Sequence, residues 1–201
     1  MFRKFFSVGS AVCLLALATL ISPGCALLGL EEEEEETETT KTGSLSDLEG
    51  TWASSCASDG SGNYETRTVI FSGTDFTHQQ GSFNDSSCTD PRYLVQWTYN
   101  TMSAGAQTTL DDGTSGYGLS GTVNAVSWTV QSSSLVTAFN SGSGTCGKTD
   151  WTLNVAGDIT GVANCGGSDV PSQGAAYADK YRVSGTNLYL NNLSGTTLTK
   201  Q

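Results

Sequence analysis

The side chains that could do chemistry in this 201-residue chain are few and scattered. His78, in Thr77-His78-Gln79-Gln80-Gly81, is the only imidazole. It could act as a general base, which requires a tuned pKa beside a reacting atom. Its polar neighbours read instead as a strand end or loop, where a lone histidine is ordinarily a surface residue. Outside the acidic stretch near the N-terminus the glutamates are Glu49, just before Gly50, and Glu65, beside Tyr64 on a strand. Neither has a second carboxylate nearby in sequence, as paired-carboxylate hydrolysis would need. Asp111 and Asp112 are adjacent and followed by Gly113, the composition of a turn. Asp59-Gly60-Ser61-Gly62-Asn63 lacks the alternating oxygen ligands and closing glutamate of a calcium loop. No nucleophile elbow or phosphate loop is present. The expectation is a chain that is not an enzyme, with no metal and no cofactor.

The thiol with the most definite chemistry is that of Cys25. Arg3 and Lys4 precede an uncharged stretch from Phe5 to Ile21, the pattern of a secretory signal peptide. An uncleaved membrane helix is the alternative, because the stretch approaches spanning length. Ser22-Pro23-Gly24-Cys25 follows and resembles the lipobox of bacterial lipoproteins. The resemblance implies a signal peptide over 1–24, lipid attachment at Cys25 and a membrane partner through that lipid. Ala26, where an aspartate would resemble an inner-membrane retention signal, implies the outer membrane of the cell envelope.

Glu31–Glu36 and a Thr-rich stretch follow. Like charges in a block repel and stay solvated, so residues 25–45 read as an acidic flexible tether. The whole chain carries a net charge of −11. From Ser44 onward thirteen acids face six bases, net −7. Sequence-independent nucleic-acid binding needs clustered Lys and Arg, so nucleic acid is excluded as a partner.

Residues 46–201 are one domain's worth of chain. Cys56, Cys88, Cys146 and Cys165 form an even set, which in an exported protein reads as disulfides with three possible pairings. Sequence neighbours are the simplest of these, Cys56 with Cys88 and Cys146 with Cys165. A zinc site has no support, since there is no CxxC and only one histidine.

The elements that must position these groups are strands. Tyr93, Val95, Trp97 and Tyr99 alternate with polar residues, as do Val126, Trp128 and Val130, and Trp151, Leu153 and Val155. Further strands are expected at Gly50–Ser54, Thr66–Ser72, Leu135–Phe139, Ile159–Ala163, Lys180–Ser184 and Asn187–Asn191, and a short helix at Gly174–Asp179. Ser-Gly-Thr recurs at 72–74, 120–122, 184–186 and 194–196 and reads as turn punctuation. The fold class is all-β, an antiparallel meander closing into a single barrel, with a β-sandwich as the alternative.

Gly50-Thr51-Trp52 on the first strand resembles the lipocalin, or calycin, family, as do Thr149-Asp150-Trp151 and the final hairpin from Tyr181 to Lys200. The resemblance implies a cup-shaped barrel whose end is closed by Trp52 under a late-strand cation, with Arg182 the candidate. Tyr93, Trp97, Tyr99 and Trp128 are possible cavity aromatics. Together these features lead to a non-enzymatic, membrane-anchored binding module for a small apolar ligand or a protein partner. The alternatives are an envelope structural or surface-display protein, and an inhibitor of a basic enzyme such as lysozyme.

Overall fold

Residues 40–193 and 195–201 are described by the computed structural model. The signal peptide, Cys25 and the glutamate run lie outside the described residues. Ten strands occur among the described residues: β1 Gly50–Ala53, β2 Ala57–Ser58, β3 Tyr64–Ser72, β4 Asp75–Phe83, β5 Pro91–Thr109, β6 Ser115–Val130, β7 Ala156–Asp158, β8 Ala176–Ser184, β9 Asn187–Leu190 and β10 Leu198–Lys200. One helix, α1, spans Ser133–Phe139.

Each long strand pairs antiparallel with the next one in the chain, and β1 pairs with both β3 and β10. That second pairing closes the meander into an eight-stranded barrel, with β2 and β7 added outside the ring. Closure leaves no long exposed edge to recruit another chain. Successive strands run in opposite directions, so the connections sort into two ends. At one end lie the entry to β1 and the short β3–β4, β5–β6 and β8–β9 turns. At the other lie four longer connections: 54–63, 84–90, 131–175 and 191–197.

The first end is closed by packing. Leu48, Trp52, Phe71, Leu188 and Leu198 are at most 2 % exposed. The Trp52 indole N–H donates to the Leu48 carbonyl at 2.7 Å, so the buried ring keeps its one donor satisfied. The chain reaches this point through residues 41–44, which the sequence places in the tether. Gly43 N–H donates to Gly105 O at 2.9 Å and Gln107 N–H to Lys41 O at 2.8 Å, extending the sheet beside β5. The Tyr181 hydroxyl donates to Ser44 O at 3.2 Å.

The second end is held by covalent bonds. Cys56–Cys88 ties the β1–β3 connection to the β4–β5 connection, and Cys146–Cys165 closes a loop within 131–175. These are the sequence-neighbour pairings.

Four expectations are corrected by this fold. Leu135–Phe139 belongs to α1, where Leu135, Val136 and Phe139 lie on one helical face and pack on the core. Trp151–Val155 is not a strand. The Asn140 side chain accepts from Trp151 N–H at 2.8 Å and donates to its carbonyl at 2.9 Å, taking the bonds a neighbouring strand would have made. Ile159–Ala163 is a turn following the short β7. Gly174–Asp179, expected as a helix, leads into β8, where the open edge of β6 from Tyr117 to Thr122 supplies its partner.

Candidate functional site

Strand parity decides which side chains enter the lumen. On β3 the inward set is Glu65, Arg67, Val69 and Phe71. On β4 it is Phe76, His78, Gln80 and Ser82, each opposite an inward residue of β3. On β5 it is Tyr93, Val95, Trp97 and Tyr99, and on β8 it is Tyr177, Asp179, Tyr181 and Val183. The lower lumen is filled by the apolar members of these sets. The upper lumen is not. A cavity of about 260 Å³ lies there, lined by Arg67, Phe76, His78, Gln80, Trp97, Tyr99, Tyr177, Leu190, Asn192 and Leu193.

The aromatic lining is ordered. Phe71, Phe76 and Tyr99 stack across β3, β4 and β5 with centroids 4.5 and 5.1 Å apart and planes within 16 and 18° of each other. Tyr177 leans on Tyr99 at 4.4 Å. One level up, His78 stacks on Trp97 at 4.9 Å and 16°.

The polar lining divides into satisfied and unsatisfied groups. Arg67 Nε donates to Glu65 Oε1 at 3.0 Å, Arg67 Nη2 stands 3.0 Å from the same oxygen, and Gln80 Nε2 donates to Glu65 Oε2 at 2.7 Å. Asp179 accepts from Lys180 N–H at 2.8 Å, Asn192 N–H at 3.0 Å and the Tyr177 hydroxyl at 2.9 Å. Burial still raises its pKa above the ordinary carboxylate range, against the pull of those donors. Burial likewise raises Tyr177, and it pushes Tyr99 up to about 12 with the Asp179 charge adding to the effect. Burial first, and the Arg67 charge second, push His78 down to about 4, so the imidazole is neutral at pH 7. Its Nε2 is buried with no hydrogen-bond partner among the described residues. Such an atom costs about 1–3 kcal/mol unless something completes it.

The residues singled out in the sequence distribute unevenly over this site. His78 is an interior residue of β4, at neither a strand end nor a loop. Glu65 is the partner of Arg67. Trp97 and Tyr99 line the cavity. Tyr93 and Trp128 do not: Trp128 packs edge-on against Tyr93, Phe139 and Trp151 at 5.2, 5.1 and 6.2 Å, under the 131–175 connection. Trp52 sits at the closed end, and the cation over its ring is Lys200, 5.0 Å from the centroid. Lys200 stands opposite Trp52 in the β1–β10 register. Arg182 cannot serve there, because it lies between the inward-facing Tyr181 and Val183 and points out. Its guanidinium covers Tyr189 at 4.3 Å and reaches Asp112 at 3.8 Å. Asp111, held by Asn191 and Lys180, has its pKa lowered by those contacts and works as a clasp for the β5–β6 hairpin tip. Glu49 accepts from Gly73 N–H at 2.7 Å and fastens a turn. Asp59 accepts from the N–H groups of Ser61 and Asn63, an Asx turn.

Sequence reasoning missed Arg67, Gln80, Tyr177 and Asn192. The signal for Gln80 was present: Phe76, His78, Gln80 and Ser82 follow a period of two, but only one of the four is apolar. Among the described residues no cluster of three His, Cys, Asp or Glu side chains could hold a metal ion. What the site offers is a small recess with flat walls, one guanidinium and one uncompleted imidazole. Neither a protein-family model nor a curated protein matches the chain, so the barrel and its cup are the grounds for a functional reading.

Proposed function

We propose that this chain is a lipid-anchored protein of the bacterial envelope that holds a small ligand in the cup of its barrel and performs no reaction on it. One observation carries the reading: the upper lumen keeps a cavity of about 260 Å³ while the lower lumen is packed shut. A small-molecule site is concave, mostly apolar and provided with a few convergent polar groups, and this recess has that make-up. Anchoring rests on the Ser22-Pro23-Gly24-Cys25 motif, with Cys25 as the acylated residue and the outer membrane as the destination. The lipocalin-like reading is supported by the meander order, by Trp52 on the first strand and by the Lys200 cation above it.

Native mass spectrometry of the protein purified from its own envelope tests the function. A retained small mass, displaced on partial unfolding, is the expected result. A second reading, a protein partner, is favoured by Leu153 and Val155. Both are large apolar side chains left 42 and 55 % exposed on the 131–175 connection. A ligand-free spectrum with a stoichiometric co-purifying protein would put that reading first.

A further inference from the structure

The stacked rings of the cup say which chemistry it accepts. Their centroid spacings of 4.5, 5.1 and 4.9 Å match the 4.7–4.9 Å separation of neighbouring strands. Near-parallel stacking covers faces of Phe76, Tyr99, His78 and Trp97 with neighbouring rings, so edges make up more of what these four offer a guest, while Tyr177 leans on the stack at 41°. An aromatic edge carries the positive part of the ring quadrupole and a face the negative part. A cation is held by faces, so these walls suit an electron-rich guest instead. The charged groups agree. Asp179, the carboxylate nearest the lower wall, has its oxygens occupied by three donors. Arg67 uses Nε and Nη2 on Glu65, while its remaining nitrogen has no acceptor among the described residues. A guanidinium has five N–H donors in a planar fork and matches a carboxylate better than any other side chain.

Size narrows the class further. A dry cavity of about 150 Å³ holds benzene, so one of about 260 Å³ has room for roughly ten non-hydrogen atoms. A long acyl chain exceeds this volume and would have to run out of the recess into solvent.

We propose that the cup binds a compact monocarboxylate of the benzoate type, its carboxylate on Arg67 and its flat body between the Trp97 and Tyr99 edges. This rests on the ligand-binding reading above. The uncompleted His78 Nε2 lies beside the guest and takes part through whichever hydrogen bond its neutral tautomer allows.

The test is titration of the full chain with four probes of known chemistry: benzoate, benzyl alcohol, benzylamine and palmitate. The change in tryptophan fluorescence that is lost in Trp97→Phe reports from inside the cup. The expected result is saturable binding of benzoate, at least tenfold tighter than of the alcohol or the amine, with no displacement by palmitate. Arg67→Met should weaken benzoate tenfold or more and leave benzyl alcohol within twofold. Should that variant fail to fold, Arg67→Lys keeps the positive charge beside Glu65 but loses the planar fork, and should still weaken benzoate about threefold. Binding of benzylamine as tight as benzoate would overturn the acid class, and competitive binding of palmitate as tight as benzoate would overturn the compact size; either outcome keeps the cup as a ligand site. Benzoate binding unchanged in a folded variant at Arg67 would overturn the placement on Arg67. Saturation by none of the four would overturn the class, and together with a ligand-free native spectrum it would overturn the ligand-binding reading as well.

Discussion

The two ends of the barrel are built from the same strands but stabilised by different means. At the closed end short glycine turns join the strands, and Leu48, Trp52, Phe71, Leu188 and Leu198 fill the space between them. At the open end the connections are long, two disulfides restrain them, and the lumen holds Arg67, Glu65, His78 and Gln80 beside a cavity. Burial of apolar area stabilises about 25 cal/mol per Å², and polar groups around an open recess cannot supply it. Cross-links stabilise by a different route, through the entropy of the unfolded chain, and are indifferent to what the native lumen contains. A barrel can thus keep one end unfilled if the loops around it are tied down.

Trp52 and Trp97 give the sharpest test of that division. Trp52→Ala should cost about 3–5 kcal/mol in chemical denaturation, as a large-to-small change in a closed core. Trp97→Ala, beside space already empty, should cost less than half as much. Equal losses would break the comparison. The disulfides come next. Serine replacement of each pair, across separations of 32 and 19 residues, should cost up to about 3–4 kcal/mol on the chain-entropy account, less if the loops stay compact unfolded. Hydrogen exchange should show the loss at 54–63, 84–90 and 131–175, with β1 and β10 still protected.

His78 makes the open end sensitive to acid. Its folded pKa of about 4 lies below the ordinary 6.5, so the unfolded chain takes up the proton first as pH falls. Stability from keeping it neutral is complete above about pH 6.5 and lost progressively toward pH 4, by up to about 3 kcal/mol. His78→Gln should flatten the pH dependence over that window, read as the difference between the two denaturation curves. Asp179, raised by burial, gains stability as pH falls and is common to both curves. The smallest effect is expected for Lys200→Met. A solvent-exposed cation over a ring contributes about 0.5–1 kcal/mol, so the loss should stay near that value if Trp52 owes its burial to packing.

The legibility of this sequence follows the same division. Strands whose inward residues are apolar, such as Tyr93–Tyr99 and Val126–Val130, are visible from alternation alone. Ser72-Gly73-Thr74 and Ser184-Gly185-Thr186 do mark turns, where Gly73 and Gly185 adopt positive φ. The identical tripeptide at 120–122 lies inside β6. A β-carbon on that glycine would crowd the Met102 sulfur and sit tightly on the Asn100 carbonyl oxygen. The segment Thr77–Gly81 reads as a polar strand end or loop, although it is the middle of β4, because its inward side chains serve the cup and not the core. Local patterns reflect burial, so they fail where a strand lines a recess. Arg182 was misassigned for a different reason: which cation reaches Trp52 depends on the closing β1–β10 register, a contact between residues nearly 150 positions apart.

The pairing of residues 41–43 with β5 has a mechanical side. A pull applied at Thr40 along the strand axis enters the domain at the closed end. The Gln107–Lys41 and Gly43–Gly105 hydrogen bonds lie side by side across that line, so they are loaded together in shear instead of being peeled one after the other. Force then passes through the Tyr181–Ser44 contact to the packed layer around Trp52. The rim of the cup is off this path, so drag on the domain strains its most solid part and leaves the recess its shape.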